Sequence, residues 1–260
     1  SNYNITYTAG NIIVGQAALT ITANNASKTY GATASLTQFT ATGLVNSDAV
    51  SAVNLSSNGS PATAAVGTYP ITASNATGTG LANYTITYNN GTLTVNPAAL
   101  TITANNASKT YGATASLTQF TATGLVNSDA VSAVTLSSTG SSVTAAVGTY
   151  PITASNATGT GLGNYTITYN NGTLTVNPAA LTITANNASK TYGATASLSN
   201  FTATGIVNSD TVSAVTISST GSPATAAVGT YPITASNATG TGLGNYTITY
   251  NNGTLTVNPA

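Results

Sequence analysis

LTITANNASKTYGATASL, residues 19–36, stands again unchanged at residues 100–117 and at residues 181–198, a period of 81 residues. Self-similarity on this scale outranks any single-domain reading of 260 residues. Cut at residues 18–98, 99–179 and 180–260, the first two units differ at five positions and the last two at seven, so they are near copies. The head NYNITYTAGNIIVGQ aligns with NYTITYNNGTLTVNP at 83–97 and places Tyr3, Ile5, Tyr7, Ile12 and Val14 on Tyr84, Ile86, Tyr88, Leu93 and Val95. Residues 1–17 are therefore expected to be the C-terminal hairpin of a preceding repeat. With no Met and no basic stretch followed by an apolar one, the chain is expected to be an internal piece of something longer. Eighty-one residues exceed the ~20–50 of solenoid repeats and suffice for a small autonomous domain. The expectation is three beads, each closed around its own core.

Each unit alternates Thr or Asn with Ile, Val, Leu, Tyr or Ala and is broken at short intervals by Gly, Asn and Pro, the pattern of short antiparallel strands. Leu19, Ile21 and Ala23 share one face of a strand, as do Tyr69, Ile71 and Ala73, and Phe39, Ala41, Leu44 and Val45 supply another apolar stretch. In NYTITYNNGTLTVN, residues 83–96, Asn90-Gly91 suits a type I′ turn, which predicts a hairpin with Tyr88 facing Leu93, Thr87 facing Thr94 and Ile86 facing Val95. NSDAVSAV, residues 46–53, is the one segment that could form a helical turn, capped by Asn46 or Ser47. The fold class expected is all-β: a tandem array of three small domains, sandwich or grasp-like, with at most one short helical turn each.

Consecutive units meet at Val95-Asn96-Pro97-Ala98-Ala99-Leu100. Proline restrains φ and extends the residue before it, whereas a Gly/Ser linker would let neighbours tumble. The array is expected to be an extended rod with units spaced on the order of 35–45 Å, if strands of ~10 residues lie along it.

Composition narrows the chemistry. The chain holds three Lys, three Asp and no Arg, Glu, His, Cys, Met or Trp, a 2% charged content against roughly 25% in an average globular chain. No histidine base, thiolate, carboxylate pair or guanidinium clamp can be assembled, which removes the usual parts of hydrolases, metalloenzymes and phosphoryl-transfer enzymes. We read a non-enzyme without cofactor. Zero net charge offers nothing to a phosphate backbone, and no apolar run is long enough to span a bilayer, so neither nucleic acid nor membrane insertion is expected. Metal is not expected either, because the junction NPAAL offers only Asn and backbone oxygens.

Taken together, SKTYG, GLVNSDAV, VGTYPI and NYTITYNNGTLTV resemble the MBG domain of the YGX type, and the likeness covers all three units. The positions that carry it are Lys28, Tyr30, Gly31, Gly43, Asp48, Gly67, Tyr69, Asn83, Tyr84 and Gly91. Their equivalents include Lys109, Tyr111, Gly112 and Asp129 in the second unit and Lys190, Tyr192, Gly193 and Asp210 in the third. In the family an acidic residue is common after Tyr-Gly, with proline three positions later. Here Ala32 and Ser35 stand in those places and strip charge from the loop. The resemblance implies an extracellular β-rich module repeated in bacterial surface adhesins, including filamentous-haemagglutinin-like proteins.

Lys28 and Asp48 are the only charges of the first unit. With a single carboxylate, the isopeptide crosslink of some surface proteins lacks its third, acidic partner, so the two are expected to form a partly exposed ion pair or two solvated loop charges. The four tyrosines per unit run in phase with Ile, Leu and Ala and are expected in or beside the core. Function is then expected to be mechanical: a stiff stalk or spacer that projects a binding domain from the cell surface. The alternative is a self-assembling subunit of a fibre, sheath or biofilm matrix, since Thr/Asn strand edges without Lys or Glu permit pairing. Expected partners are neighbouring repeats of the same chain and, in the alternative, identical chains joined laterally or end to end.

Overall fold

The computed structural model describes residues 2–260. In the first repeat the alternating segments form seven strands: β1 (Ala17–Ala23), β2 (Ala26–Thr29), β3 (Phe39–Thr42), β4 (Ala49–Ser56), β5 (Gly67–Thr79), β6 (Tyr84–Asn89) and β7 (Gly91–Asn96). They build two sheets, ordered β3-β1-β6 and β2-β7-β5-β4, and both orders recur in the other two repeats. The all-β class and the tandem series of three small β units are as expected.

Alternation decides what is inside. Leu19, Ile21 and Ala23 of β1 are buried from one sheet, and Ile71, Ala73, Leu93 and Val95 of β5 and β7 from the other. Ala23 packs with Ile71, Ala73 and Leu93, so the two sheets lie face to face as a sandwich. A second cluster gathers Leu19, Ile21 and Tyr84. Each fully buried Leu or Ile contributes about 1.5–3 kcal/mol relative to exposure.

The pairing of the last two strands departs from the hairpin that Asn90-Gly91 suggests. β6 runs parallel to β1, with Ala17 opposite Tyr84 and Thr20 opposite Thr87. β7 runs antiparallel to β5, with Gly67 opposite Val95, and parallel to β2, with Ala26 opposite Leu93. Asn90 is thus the step from one sheet to the other, and neither Asn90 nor Gly91 has the positive φ of a type I′ turn. The physical reason is enclosure. A hairpin would cover the core from one side, whereas separated strands put Tyr84 in one sheet and Leu93 and Val95 in the other. Gly91 serves a close approach instead of a turn, since a Cβ there would lie 2.4 Å from the Ala23 carbonyl oxygen. Each sheet therefore contains a parallel pair and is mixed instead of purely antiparallel.

Three further local expectations are revised. Asn46 and Ser47 adopt left-handed φ of 53° and 62° and form a turn, after which Ala49–Ser56 is strand, so NSDAVSAV holds no helix. Val53 and Leu55 of that strand pack on the core, and this burial outweighs the capping signal. Short 3-10 turns sit elsewhere, at Leu81–Asn83 and its two equivalents, and the middle repeat has a second at Thr139–Ser141, beside Ser142 where the other repeats have Pro61 and Pro223. The head is no hairpin: residues 2–16 form no strand, and Tyr3, Ile5, Tyr7, Ile12 and Val14 are exposed. In a complete repeat the equivalent strands pair with β1, β2 and β5 and not with each other, so a segment without those partners has no ladder to join.

By contact density the chain forms two compact units that do not follow the repeat borders. One contains the chain as far as Leu100 together with Thr123–Ser132 and Thr158–Thr168; the other contains Thr101–Ala122, Ala133–Ala157 and Tyr169–Ala260. Each unit thus holds a terminal repeat and part of the middle repeat. Within the second unit, Tyr111 and Val176 of the middle repeat belong to the same core as Leu181, Ile183, Ile233 and Leu255 of the last. The expectation of beads that each close around a private core is corrected accordingly: the apolar interior passes through this junction. Its backbone is equally direct, with only Pro178 between the strands Gly172–Asn177 and Ala179–Ala185.

The chain has no Cys, so introduced pairs report strand neighbours cleanly. Thr68 lies opposite Thr94 in the β5–β7 ladder, within disulfide reach for antiparallel neighbours. The Thr68→Cys/Thr94→Cys chain is expected to oxidise to an intramolecular disulfide. The Thr87→Cys/Thr94→Cys chain, which the hairpin would bridge, is expected to keep two free thiols by mass spectrometry after alkylation.

Candidate functional site at the repeat junction

Each repeat presents a Tyr-Gly corner at the end of β2 and its equivalents, and the corner is built around a lysine. Lys28 is 8% exposed, and its ammonium donates to the carbonyls of Ala32 at 2.9 Å, Ser60 at 3.4 Å and Pro61. Three N–H donors meet three backbone acceptors, which is how a buried ammonium without a carboxylate partner can be satisfied. The loop after β2 is thereby tied to the loop before β5, and backbone bonds from Gly31 N–H to Ala62 O (3.1 Å) and Ala34 N–H to Ser60 O (2.9 Å) reinforce the tie. Lys109 holds Ala113 and Ser142 in the same way, and Lys190 holds Ala194, Ser222 and Pro223. Burial lowers the pKa of Lys28 and Lys109 from the ordinary lysine value.

The expected partly exposed ion pair, or two solvated loop charges, of Lys28 and Asp48 is therefore replaced by two separate roles. Asp48 Oδ2 accepts the Tyr84 hydroxyl at 2.9 Å, while the Tyr84 oxygen accepts the Val45 N–H at 2.8 Å. Lysine and aspartate belong to different surfaces, and the junction shows why.

Within the first compact unit, Tyr30 donates to Asp129 Oδ2 at 2.9 Å, and Tyr165 donates to the same oxygen at 2.8 Å. The two rings meet edge to face, with centroids 5.5 Å apart and planes at 81°, the geometry their quadrupoles favour. Around this centre Asn127 Nδ2 donates to Ala62 O at 2.8 Å, and Asn164 Oδ1 accepts the Val66 N–H at 2.9 Å. Gly31, at φ +88°, lies under Val126, where a Cβ would come within 2.6 Å of a valine methyl. Glycine is required there both by conformation and by space.

The second compact unit repeats the arrangement. Tyr111 and Tyr246 donate to Asp210 Oδ2 at 2.9 and 2.8 Å, with ring centroids 5.6 Å apart. Asn208 donates to Val143 O at 2.7 Å, and Asn245 accepts from Val147 N–H at 2.9 Å. Burial, then the hydrogen bond and charge of the aspartate, raise the pKa of Tyr165 and Tyr246 against the opposing pull of a backbone N–H.

Of the motif positions, Lys28, Tyr30 and Gly31 build the corner, and Tyr69 supports the adjoining loop by donating to Ala65 O at 2.9 Å. Asp48, Asn83 and Tyr84 have the equivalents that receive a corner: Asp129, Asn164 and Tyr165, and Asp210, Asn245 and Tyr246. Gly67 opens β5, and Gly91 lies against β1, both away from this contact. Residues contributing only backbone, Ala62 and Val66, carried no sequence signal, and Asn127 was hidden among many asparagines. Alternation does place the tyrosines in or beside the core, as with Tyr30, Tyr84 and Tyr111.

A family profile described as MBG domain (YGX type) matches residues 19–94, 100–175 and 181–256. The chain belongs to the MBG domain (YGX type) family. The Tyr-Gly pairs of the first and second MBG repeats are the corners that sit on the repeat after them. No curated protein matches the chain. Among solved structures, Drosophila N-cadherin EC1-4 is similar at 9% identity over 95% of this chain and 76% of that chain, with a TM-score of 0.28. The I9–I11 tandem of titin is similar at 12% identity over 93% of this chain and all of that chain, with a TM-score of 0.24. Among the described residues, no group of three or more His, Cys, Asp or Glu could hold a metal ion, and no helix is long and apolar enough to cross a membrane.

Two outcomes test the MBG corner and its seat. Lys28→Met keeps the apolar stem but removes the ammonium's hydrogen bonds to three carbonyls, of which those of Ser60 and Pro61 keep only a backbone donor; a loss of roughly 1–3 kcal/mol is expected in urea denaturation. A tyrosine whose folded pKa is raised stabilises the fold fully below its unfolded value of about 10, and that contribution is lost as pH rises through the folded value. A late fraction of the tyrosinate absorbance is therefore expected from Tyr165 and Tyr246, accompanied by weakening of the fold. Asp129→Asn is expected to move the Tyr165 part of it to lower pH.

Proposed function

We propose that these MBG repeats are the non-catalytic stalk or spacer of a bacterial extracellular adhesin, holding a binding domain away from the cell surface. The observation that carries the reading is the shared aspartate, which binds the tyrosine of its own repeat and that of the preceding repeat at both junctions. A flexible string of domains has no use for such a seam, and a one-residue proline step on its own restrains only the backbone. Edge-to-face rings and a shared, half-buried carboxylate also restrain rotation about that step. An extracellular setting agrees with the family.

Single-molecule energy transfer tests the role. Dyes attached to cysteines introduced at exposed Thr68 and Thr230 are expected to give one narrow distribution in the parent chain. The same pair in Asp129→Ala/Asp210→Ala is expected to give a broad one. Equal broad distributions in both would mean that the joints do not hold, and the spacer reading would be abandoned.

A further inference from the structure

The opening and closing segments of a repeat run side by side in one register. In the first repeat β1 lies parallel to β6, with Ala17 opposite Tyr84 and Thr22 opposite Asn89, and β2 lies parallel to β7, with Ala26 opposite Leu93 and Thr29 opposite Asn96. In both sheets a residue thus faces the one 67 positions further on, so the register survives where the two segments change sheets together. At that crossing neither ladder reaches, and Asn25 Oδ1 accepts the Thr92 N–H at 2.8 Å, again across 67 positions. The third repeat has the same register, Ala179 opposite Tyr246 and Ala188 opposite Leu255, and the same stitch, Asn187 on Thr254. In the middle repeat Ala107 lies opposite Leu174 and Thr110 opposite Asn177, and Asn106 holds Thr173.

We propose that each repeat is a tension-bearing clamp, in which residues 17–29 and 84–96 and their equivalents resist being drawn past each other. The inference deepens the spacer reading and rests on it for its use, since a spacer comes under tension when the domain it holds is itself held. Tension follows the backbone. It enters a repeat at the start of the first strand and leaves at the end of the last, as through the single residues Pro97 and Pro178. Because the two segments are parallel, those points lie at opposite ends of one ladder, and pulling drives the segments in opposite directions along their length. Rungs loaded in this way stretch together, whereas strands parted from one end give way rung by rung. Neither loaded strand is an edge: β1 lies between β3 and β6, and β7 between β2 and β5. Sliding must therefore break an antiparallel ladder on the other side as well. It must also drag Leu19, Ile21, Leu93 and Val95, none more than 1% exposed, out of the core, since a slip of one residue turns a strand's inward side chains to water. Asn25 carries load across the one gap in the ladder.

Single-molecule force spectroscopy of the full 260-residue chain tests the inference. The chain has no Cys, so handles attach only where cysteines are introduced. Ala18, Thr85 and Asn89 are exposed, and Ala18 lies directly opposite Thr85 while Asn89 stands at the far end of the same ladder. Ala18→Cys/Asn89→Cys shears the β1–β6 ladder and is expected to rupture at several times the force of Ala18→Cys/Thr85→Cys, which parts it from one end. Pulled by its two ends, the parent is expected to give way one whole repeat at a time, each releasing about 270–290 Å of extended chain less its folded length. At constant force the rate of unfolding governs survival, and Asn25→Ala/Asn106→Ala/Asn187→Ala is expected to unfold roughly two- to tenfold faster than the parent. Thr72→Ala removes a hydroxyl bond between β4 and β5, off the clamp, and is expected to match the parent. Unchanged circular dichroism will show that each variant folds. Equal rupture forces in the two geometries, repeats that peel in small steps, or a triple variant as slow as the parent would overturn the inference. None of these readings depends on how repeats are joined, so the clamp can fail while the joints hold, and the reverse.

Discussion

One carboxylate oxygen joins two repeats. Asp129 Oδ2, like Asp210 Oδ2, accepts a hydroxyl from its own repeat and another from the preceding one. A hydrogen bond to an ionised acceptor is roughly twice as strong as one between neutral groups. In a chain that is only 2% charged, few such bonds are available. Each repeat has a single acid, and it stands where one repeat must recognise the next. The rest of the junction is arranged around that point. Asparagines take the exposed backbone groups of the corner, a glycine lets the corner lie under a valine, and a lysine behind it keeps two loops in register.

The lysine and the aspartate divide the work without touching one another. A buried ammonium is costly unless all of its donors are satisfied, and here they are satisfied by carbonyls from two loops that share no ladder. Its effect is to make the corner rigid before contact. A preorganised surface loses less entropy on docking, and the exposed corner at Lys190 has the same internal bonds as the seated one at Lys28. The constraints at each junction are small and repeated: a proline step, a pair of crossed rings and a shared acid. An apolar interior that continues through the junction, as around Tyr111, adds to them.

Much of this was legible in the residues. The period, the all-β class, the inward faces of Leu19-Ile21-Ala23 and Tyr69-Ile71-Ala73, and the positions Lys28, Tyr30, Gly31, Asp48 and Tyr84 could all be read directly. What each of those positions does could not. Lys28 is bound by Ser60 and Pro61, 32 and 33 residues away, through main-chain atoms that any side chain would supply. Tyr30 is bound by Asp129, 99 residues away and in another repeat. Charge count alone left Lys28 and Asp48 as an ion pair or as two solvated loop charges, because it cannot register a carbonyl cage or a tyrosine arriving from outside the repeat.

The amino-acid sequence by itself determined which side chains are buried, since alternation along a strand sends every second residue to one face and only apolar residues can leave water there without a partner. It also determined that the repeats are alike, and hence that any contact between two of them recurs. Tertiary structure decided the strand partners. Asn90-Gly91 favours a hairpin locally, yet closing a two-layer core from both sides buries more apolar surface than one turn can offset, so Tyr84–Asn89 and Gly91–Asn96 go to different sheets. It also decided the meeting of Tyr30, Asp129 and Tyr165, because residues so distant in the chain become neighbours only when two folded surfaces fit.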